Sequence, residues 1–289
     1  MEGRASRRLS GAIVGWTLLL TAGFATAGVR ASAGPPKQTG TFALLNATQK
    51  IDSTFWAVQG AGPLTATLHV RQFRHGSSNP ILNYDVEMQS TIHVVAIRDD
   101  FATFNHLHPA FNTTTGTFTQ SFTKQPNHRY YVYADTTPHG IGHQVFRFTM
   151  ESDGPVSATA PALEISEPTA TAGPYSVVLD KTSFPADQAF SIDLTVDKGT
   201  KLATDLGTYL GAPAHCVFIN TATLEYVHVH PSVRNTTSSN GSNQMNMTGA
   251  GPRMRLSVPA LPAGTYKLWI QFRGGAYKLY TVPFTIAVR

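Results

Sequence analysis

The sequence predicts an all-β protein: two tandem immunoglobulin-like or cupredoxin-like β-sandwiches behind an amino-terminal export signal. Three observations predict it. Past residue 33 the chain reads as short alternating strands separated by Gly, Pro, Asn and Asp, with no long segment of helical period. Hydrophobic residues make up 42% and charged residues only 13%, a balance that suits a β-rich extracellular protein better than a helical cytosolic one. A length of 289 residues suits two domains.

Residues 1–33 read as a signal peptide. Arg4, Arg7 and Arg8 form a basic start, an apolar stretch runs from Gly11 to Gly28, and Ala31-Ser32-Ala33 supplies a small-x-small cleavage site. The apolar stretch is short for a membrane span and is interrupted by Thr17, Thr21 and Thr26. Cleavage would leave Gly34 at the mature start; an uncleaved anchor is the alternative, and membrane association is expected only then. Arg7-Arg8 fits twin-arginine export, although the residues after it match that signal poorly. The expected location is secreted or periplasmic. Removing this segment takes away four arginines and one glutamate, which leaves eighteen basic against sixteen acidic side chains. A nearly neutral chain without basic runs is not expected to bind nucleic acid.

The first sandwich is expected over 34–150, with strands at Leu64–Phe73, Ile92–Arg98, Phe101–Leu107, Phe118–Phe122, Arg129–Asp135 and His143–Met150. A Pro-, Ala-, Thr-, Ser- and Glu-rich stretch at 151–173 reads as a linker. The second sandwich follows over 174–289, with strands at Tyr175–Leu179, Phe190–Val196, His215–Ile219, Leu224–His230, Met254–Val258, Thr265–Phe272 and Leu279–Val288. Asn235–Gly251, which holds Met245 and Met247, reads as a long loop. Cys216 is the only cysteine, so stability must come from sheet packing rather than an internal disulfide. Sequons begin at Asn46, Asn112, Asn235, Asn240 and Asn246 and matter only in a glycosylating host.

The two halves carry the same constellation. His93-x12-His106-Leu107-His108-Pro109 in the first is matched by His215-x12-His228-Val229-His230-Pro231 in the second. Downstream, Tyr130 to Asp135 parallels Tyr266 to Gln271. An internal duplication explains the match. A two-residue turn at Asp99-Asp100 would place His93 opposite His106, and one at Thr221-Ala222 would place His215 opposite His228. Residues two apart on a strand share a face, so His106 and His108 join His93, and His228 and His230 join His215. The same faces carry Val95, Ile97, Ala102 and Phe104, and Val217, Ile219, Leu224 and Tyr226. Three imidazoles gathered on an apolar face suit copper or zinc. The competing reading has the histidines capping a hairpin end and bonding backbone carbonyls. Asp135 and Met88 are candidate further ligands; a thioether would favour Cu(I), whereas methionine is also ordinary core filler. Met245 and Met247 are weaker candidates of the same kind. His139 and His143 read as surface loop residues, and Cys216, alternating away from His215, as a small buried hydrophobe.

Ile92-His93 through His106-Leu107-His108-Pro109 resembles the histidine-rich segment of bacterial YtkA-like secreted domains. Asp205 to His215, running on through Tyr226-Val227-His228-Val229-His230-Pro231, is similar to the second domain of tandem relatives. The resemblance implies a cupredoxin-like or immunoglobulin-like fold and a link to periplasmic copper handling. Relatives often carry histidine where this chain has Met88, which implies a softer site or one without a fourth histidine.

The expected function is metal binding outside the cytoplasm for storage, delivery or sequestration, with a metal ion as partner and a periplasmic or extracellular metalloprotein as a further one. A structural or adhesive module is the alternative. Catalysis is not expected. A multicopper oxidase needs more His-x-His pairs and a His-Cys-His, a blue-copper carrier needs Cys followed closely by His and Met, and an N-terminal-histidine monooxygenase needs His at the mature start. Hydrolase motifs of the G-x-S-x-G and H-E-x-x-H kinds are missing from the sequence.

Overall fold

The computed structural model describes residues 35–151, 156, 163–234, 245–246 and 249–289. The expected signal peptide, much of the expected linker, Met247 and most of the sequons after Asn112 lie outside the described residues.

The protein is all-β. Among the described residues the one helical element is a 3-10 turn at Gly275–Tyr277, and no helix is long and apolar enough to cross a membrane. Each half has two sheets. In the first half one sheet runs in the order Gln38–Thr39, Ile51–Gln59, Thr65–Arg74, Thr117–Thr123, Ala110–Asn112. The other runs Thr41–Phe42, Gln144–Met150, Tyr130–Thr136, Ile92–Arg98, Phe104–Leu107. The second half repeats both orders. Its outer sheet runs Thr169–Ala172, Tyr175–Leu179, Phe190–Lys198, Arg253–Val258, Ser232–Arg234, Met245–Asn246, with Lys201–Leu202 beside Phe190–Lys198. Its histidine-bearing sheet runs Ser183–Phe184, Leu279–Val288, Gly264–Arg273, His215–Asn220, Tyr226–Val229. Pairing between these strands is antiparallel except between Ser183–Phe184 and Leu279–Val288.

Strands of the outer sheets are half buried and alternate accordingly. Ala66, Leu68 and Val70 point inward from Thr65–Arg74, and Ile192, Leu194 and Val196 from Phe190–Lys198. Ile92–Arg98 and His215–Asn220 instead read as near-continuous apolar runs because both of their faces are covered. Ile92, Val94 and Ala96 enter the core of the first half, and Cys216 and Phe218 that of the second. The opposite faces of these strands meet. Val95, Ile97, Tyr133, Val217, Ile219, Tyr226 and Trp269 form a third apolar cluster, a seam between the two histidine-bearing sheets. Burying each of its aliphatic side chains contributes about 1.5–3 kcal/mol. Phe104 stacks on Trp269 at 5.1 Å, and Tyr226 on Tyr133 at 5.1 Å, the same contact with the halves exchanged. Tyr133 Oη also donates to the Leu224 carbonyl at 3.0 Å. Pro35–Arg289 accordingly forms one compact unit.

Three expectations need correction. The hairpins are longer than two-residue turns: Val95 lies opposite His106 and Val217 opposite His228. Asp100 Oδ1 accepts from Ala102 N at 3.0 Å, and Asn220 Oδ1 accepts from Ala222 N at 2.9 Å and Thr223 N at 3.0 Å. These side-chain turns widen both loops, with Phe101 and Leu224 in the left-handed region at φ 58° and 61°. The slip is two residues in each case, so every histidine keeps its face. Part of the stretch read as linker is structured: Thr169–Ala172 is a strand paired to Tyr175–Leu179, and Leu163 packs on the seam. Ile51–Gln59 is a full strand that the hydrophobic pattern did not reveal.

Candidate metal centre

The three histidines of each half come together as the shared face requires. His93 Nδ1 lies 3.0 Å from His106 Nε2 and 3.2 Å from His108 Nε2. In the second half His215 Nδ1 lies 3.1 Å from His228 Nε2 and 3.0 Å from His230 Nε2. The face is the buried seam: His93, His106 and His215 are 4%, 8% and 0% exposed, and the His228 side chain 4%. His108 and His230 are partly buried.

The outward nitrogens fix the protons. His93 Nε2 is 3.1 Å from the Glu87 carbonyl, and His215 Nε2 is 3.0 Å from the Tyr209 carbonyl. A carbonyl only accepts, so both rings carry their proton at Nε2 and turn the Nδ1 lone pair inward. His106 Nδ1 donates to Gln271 Oε1 at 3.1 Å, an amide oriented by its own donation from Nε2 to Thr281 Oγ1 at 3.0 Å. His228 Nδ1 donates to Asp135 Oδ2 at 3.3 Å. In the neutral form both rings therefore turn a bare Nε2 inward. Lone pairs facing each other at about 3 Å repel unless a cation lies among them. Three imidazole nitrogens at 2.0–2.1 Å from an ion would stand roughly 3.3–3.6 Å apart, a few tenths of an ångström more than the edges that His93 and His215 make with their neighbours, 3.0 to 3.2 Å.

Burial keeps the rings neutral. Desolvation, then neighbouring imidazoles, hold His106 well below its ordinary value, His108 at about 4, His215 at about 2 and His230 at about 3. Desolvation lowers His93 too, opposed in part by the charge of Asp135.

Two local devices present the carbonyls. Glu87 and Ser90 exchange backbone hydrogen bonds across a tight turn whose central residues, Met88 and Gln89, both have positive φ; Tyr209 and Ala212 do the same around Leu210 and Gly211. Met88 thus occupies a turn position whose counterpart, Leu210, has no donor atom. The structure gives Met88 a backbone part in placing Glu87. Side-chain geometry at Met245 and Met247 lies outside the described residues.

Asp135 stands beside the triplets rather than within one. It is 4% exposed and pairs across the sheet with His93, while Gln271 pairs with His215. Its Oδ1 lies 2.5 Å from His143 Nε2, and its Oδ2 accepts from Tyr226 Oη at 3.0 Å as well as from His228. Burial would raise this carboxyl, but the hydrogen bonds from His143 and His228 hold it well below the usual range. Burial would lower His143, yet its bond to Asp135 holds it above the ordinary value. His143 is therefore part of the centre's support, which its loop position in the sequence did not signal. The Asp135–Gln271 equivalence was the available clue to the supporting acceptors. His139 lies apart, 2.6 Å from Asp85 on the surface. Cys216 is buried in the second core, and burial pushes its thiol up, away from the reactive thiolate.

A family model described as a domain of unknown function, DUF8832, matches residues 169–289, a stretch that includes His215, His228 and His230 and opens with the strand Thr169–Ala172. No curated protein matches the chain.

Proposed function

We propose that this protein binds copper, with zinc as the second choice, outside the cytoplasm, and stores, delivers or sequesters it rather than turning over a substrate. The observation that carries this reading is the convergence of three inward imidazole nitrogens in each half, with the outer nitrogens of His93, His106, His215 and His228 already engaged. Histidines that merely capped a hairpin would not need inward nitrogens stripped of protons. All-imidazole donor sets suit copper and zinc better than magnesium or calcium. The acceptors behind His93, His106, His215 and His228 are the supports that metal-bound imidazoles ordinarily have. The resemblance to YtkA-like domains and the export-signal character of residues 1–33 support the compartment and the metal.

Equilibrium dialysis of the purified chain against copper tests the reading. Tight binding at the level of the histidine triplets is expected, and His106→Ala and His228→Ala should each remove one site. Stoichiometry near zero in the unmodified chain would instead favour a structural or adhesive module.

A further inference from the structure

The two triplets lie against each other. Across the seam the His106 ring stands 5.1 Å from that of His215 and 5.4 Å from that of His228. Within a half, His93 to His106 and His215 to His228 are separated by 5.2 and 5.3 Å. Spacing across the seam, 5.1 to 5.8 Å, thus overlaps the 4.5 to 5.3 Å found inside the halves. One ligand atom each of His106, His215 and His228 also falls within 4.8 Å of the others, so donors of both halves share one small volume.

The supports cross as well. Gln271 of the second half holds His106 of the first, and Asp135 of the first half holds His228 of the second. Each triplet thus takes the support of one of its histidines from the other half of the chain.

We propose that the seam holds one dinuclear centre, an ion in each triplet, suited to soft monovalent cations with cuprous copper foremost. This rests on the metal-binding reading above and specifies its nuclearity and ion class. Charge argues for the class. The imidazoles are neutral donors, and the buried carboxylate beside them is Asp135, already bonded to His143. Two adjacent divalent ions would place four positive charges in this low-dielectric seam, against two for a monovalent pair.

The test uses the full chain. Anaerobic titration with cuprous ion against a chromophoric chelator should give two copper per chain, bound more tightly than zinc. Oxidised in place after cuprous loading, with copper content checked, the chain should give a broadened electron paramagnetic resonance signal that integrates to well under two spins per two copper retained. His215→Ala should bind one ion with a full, uncoupled signal; His230→Ala, at a partly exposed position, gives the same readout if the first variant does not fold. In either background Gln271→Ala should weaken the remaining site, that of the first half, about 10-fold or more. Two copper with two full spins, or one copper shared by the six histidines, would overturn the dinuclear centre and leave metal binding standing. Equal affinity for zinc would overturn the ion class. No bound metal in the unmodified chain would remove the metal-binding reading itself.

Discussion

The two halves share strand order, hairpin geometry and all three histidines, yet they differ in what stands behind those histidines. Gln271, a neutral amide, holds His106 from across the seam; Asp135, a carboxylate backed by His143, holds His228. Tyr209 places its ring 5.1 Å from His215, whereas the equivalent Glu87 is exposed and bonds Thr137. The histidines recur in both halves, while the layer around them differs. Because that layer is crossed, a change in one half is felt by the triplet of the other. A carboxylate makes its imidazole a stronger donor than an amide does, so the second-half triplet should hold metal more tightly.

Stability measurements should separate the two supports most widely. Asp135→Leu leaves His143, His228 and Tyr226 without their shared acceptor and should cost about 3–5 kcal/mol in urea unfolding of the metal-free chain. Gln271→Leu strands the His106 N–H and should cost about 1–3 kcal/mol. Equal losses would mean that the carboxylate has no special part.

Acid should come next. His108, His230 and His215 lie at about 4, 3 and 2, below the ordinary 6.5. Between 6.5 and those values the unfolded chain takes up protons that the folded chain refuses, so stability is full above about pH 6.5 and falls as pH is lowered. His143, held above its ordinary value, acts in the opposite sense: its contribution is present below 6.5 and fades as pH rises through its folded value. Since His230 lies lower than His108, His230→Ala should flatten the acid decline more than His108→Ala. Matching slopes for the two variants over about pH 3 to 5 would erase that distinction between the halves.

The smallest effect is expected at Met88. Its counterpart Leu210 has no donor atom, so Met88→Leu should leave copper stoichiometry unchanged and alter stability by less than about 0.5 kcal/mol. Loss of one bound ion in this variant would return the thioether to the ligand set.

The fold and the triplets were legible in the sequence because each follows from a period of two. Alternation located Tyr175–Leu179 and Leu279–Val288 at their observed bounds, and it put His93, His106 and His108 on one face even though the register was misjudged by two residues. Ile51–Gln59 escaped because Ser53, buried at an inward position, breaks the apolar pattern there. The meeting of the triplets was hidden for a different reason. An apolar face announces that something covers it, but Val95, Ile97, Val217 and Ile219 do not say that they cover one another. The roles of Asp135, Gln271 and His143 depend on that meeting, so the pattern within either half could not supply them.

The account stands on where the imidazole protons reside. Nitrogen-15 NMR of the histidine rings in the metal-free chain, near pH 7.5, reads the tautomers directly. Protons at Nε2 of His93 and His215 and at Nδ1 of His106 and His228 are expected, with the inward nitrogens bare and the first to shift when cuprous ion is added. A proton on Nδ1 of His93 or His215, hydrogen-bonded to its neighbouring ring and undisturbed by copper, would contradict it.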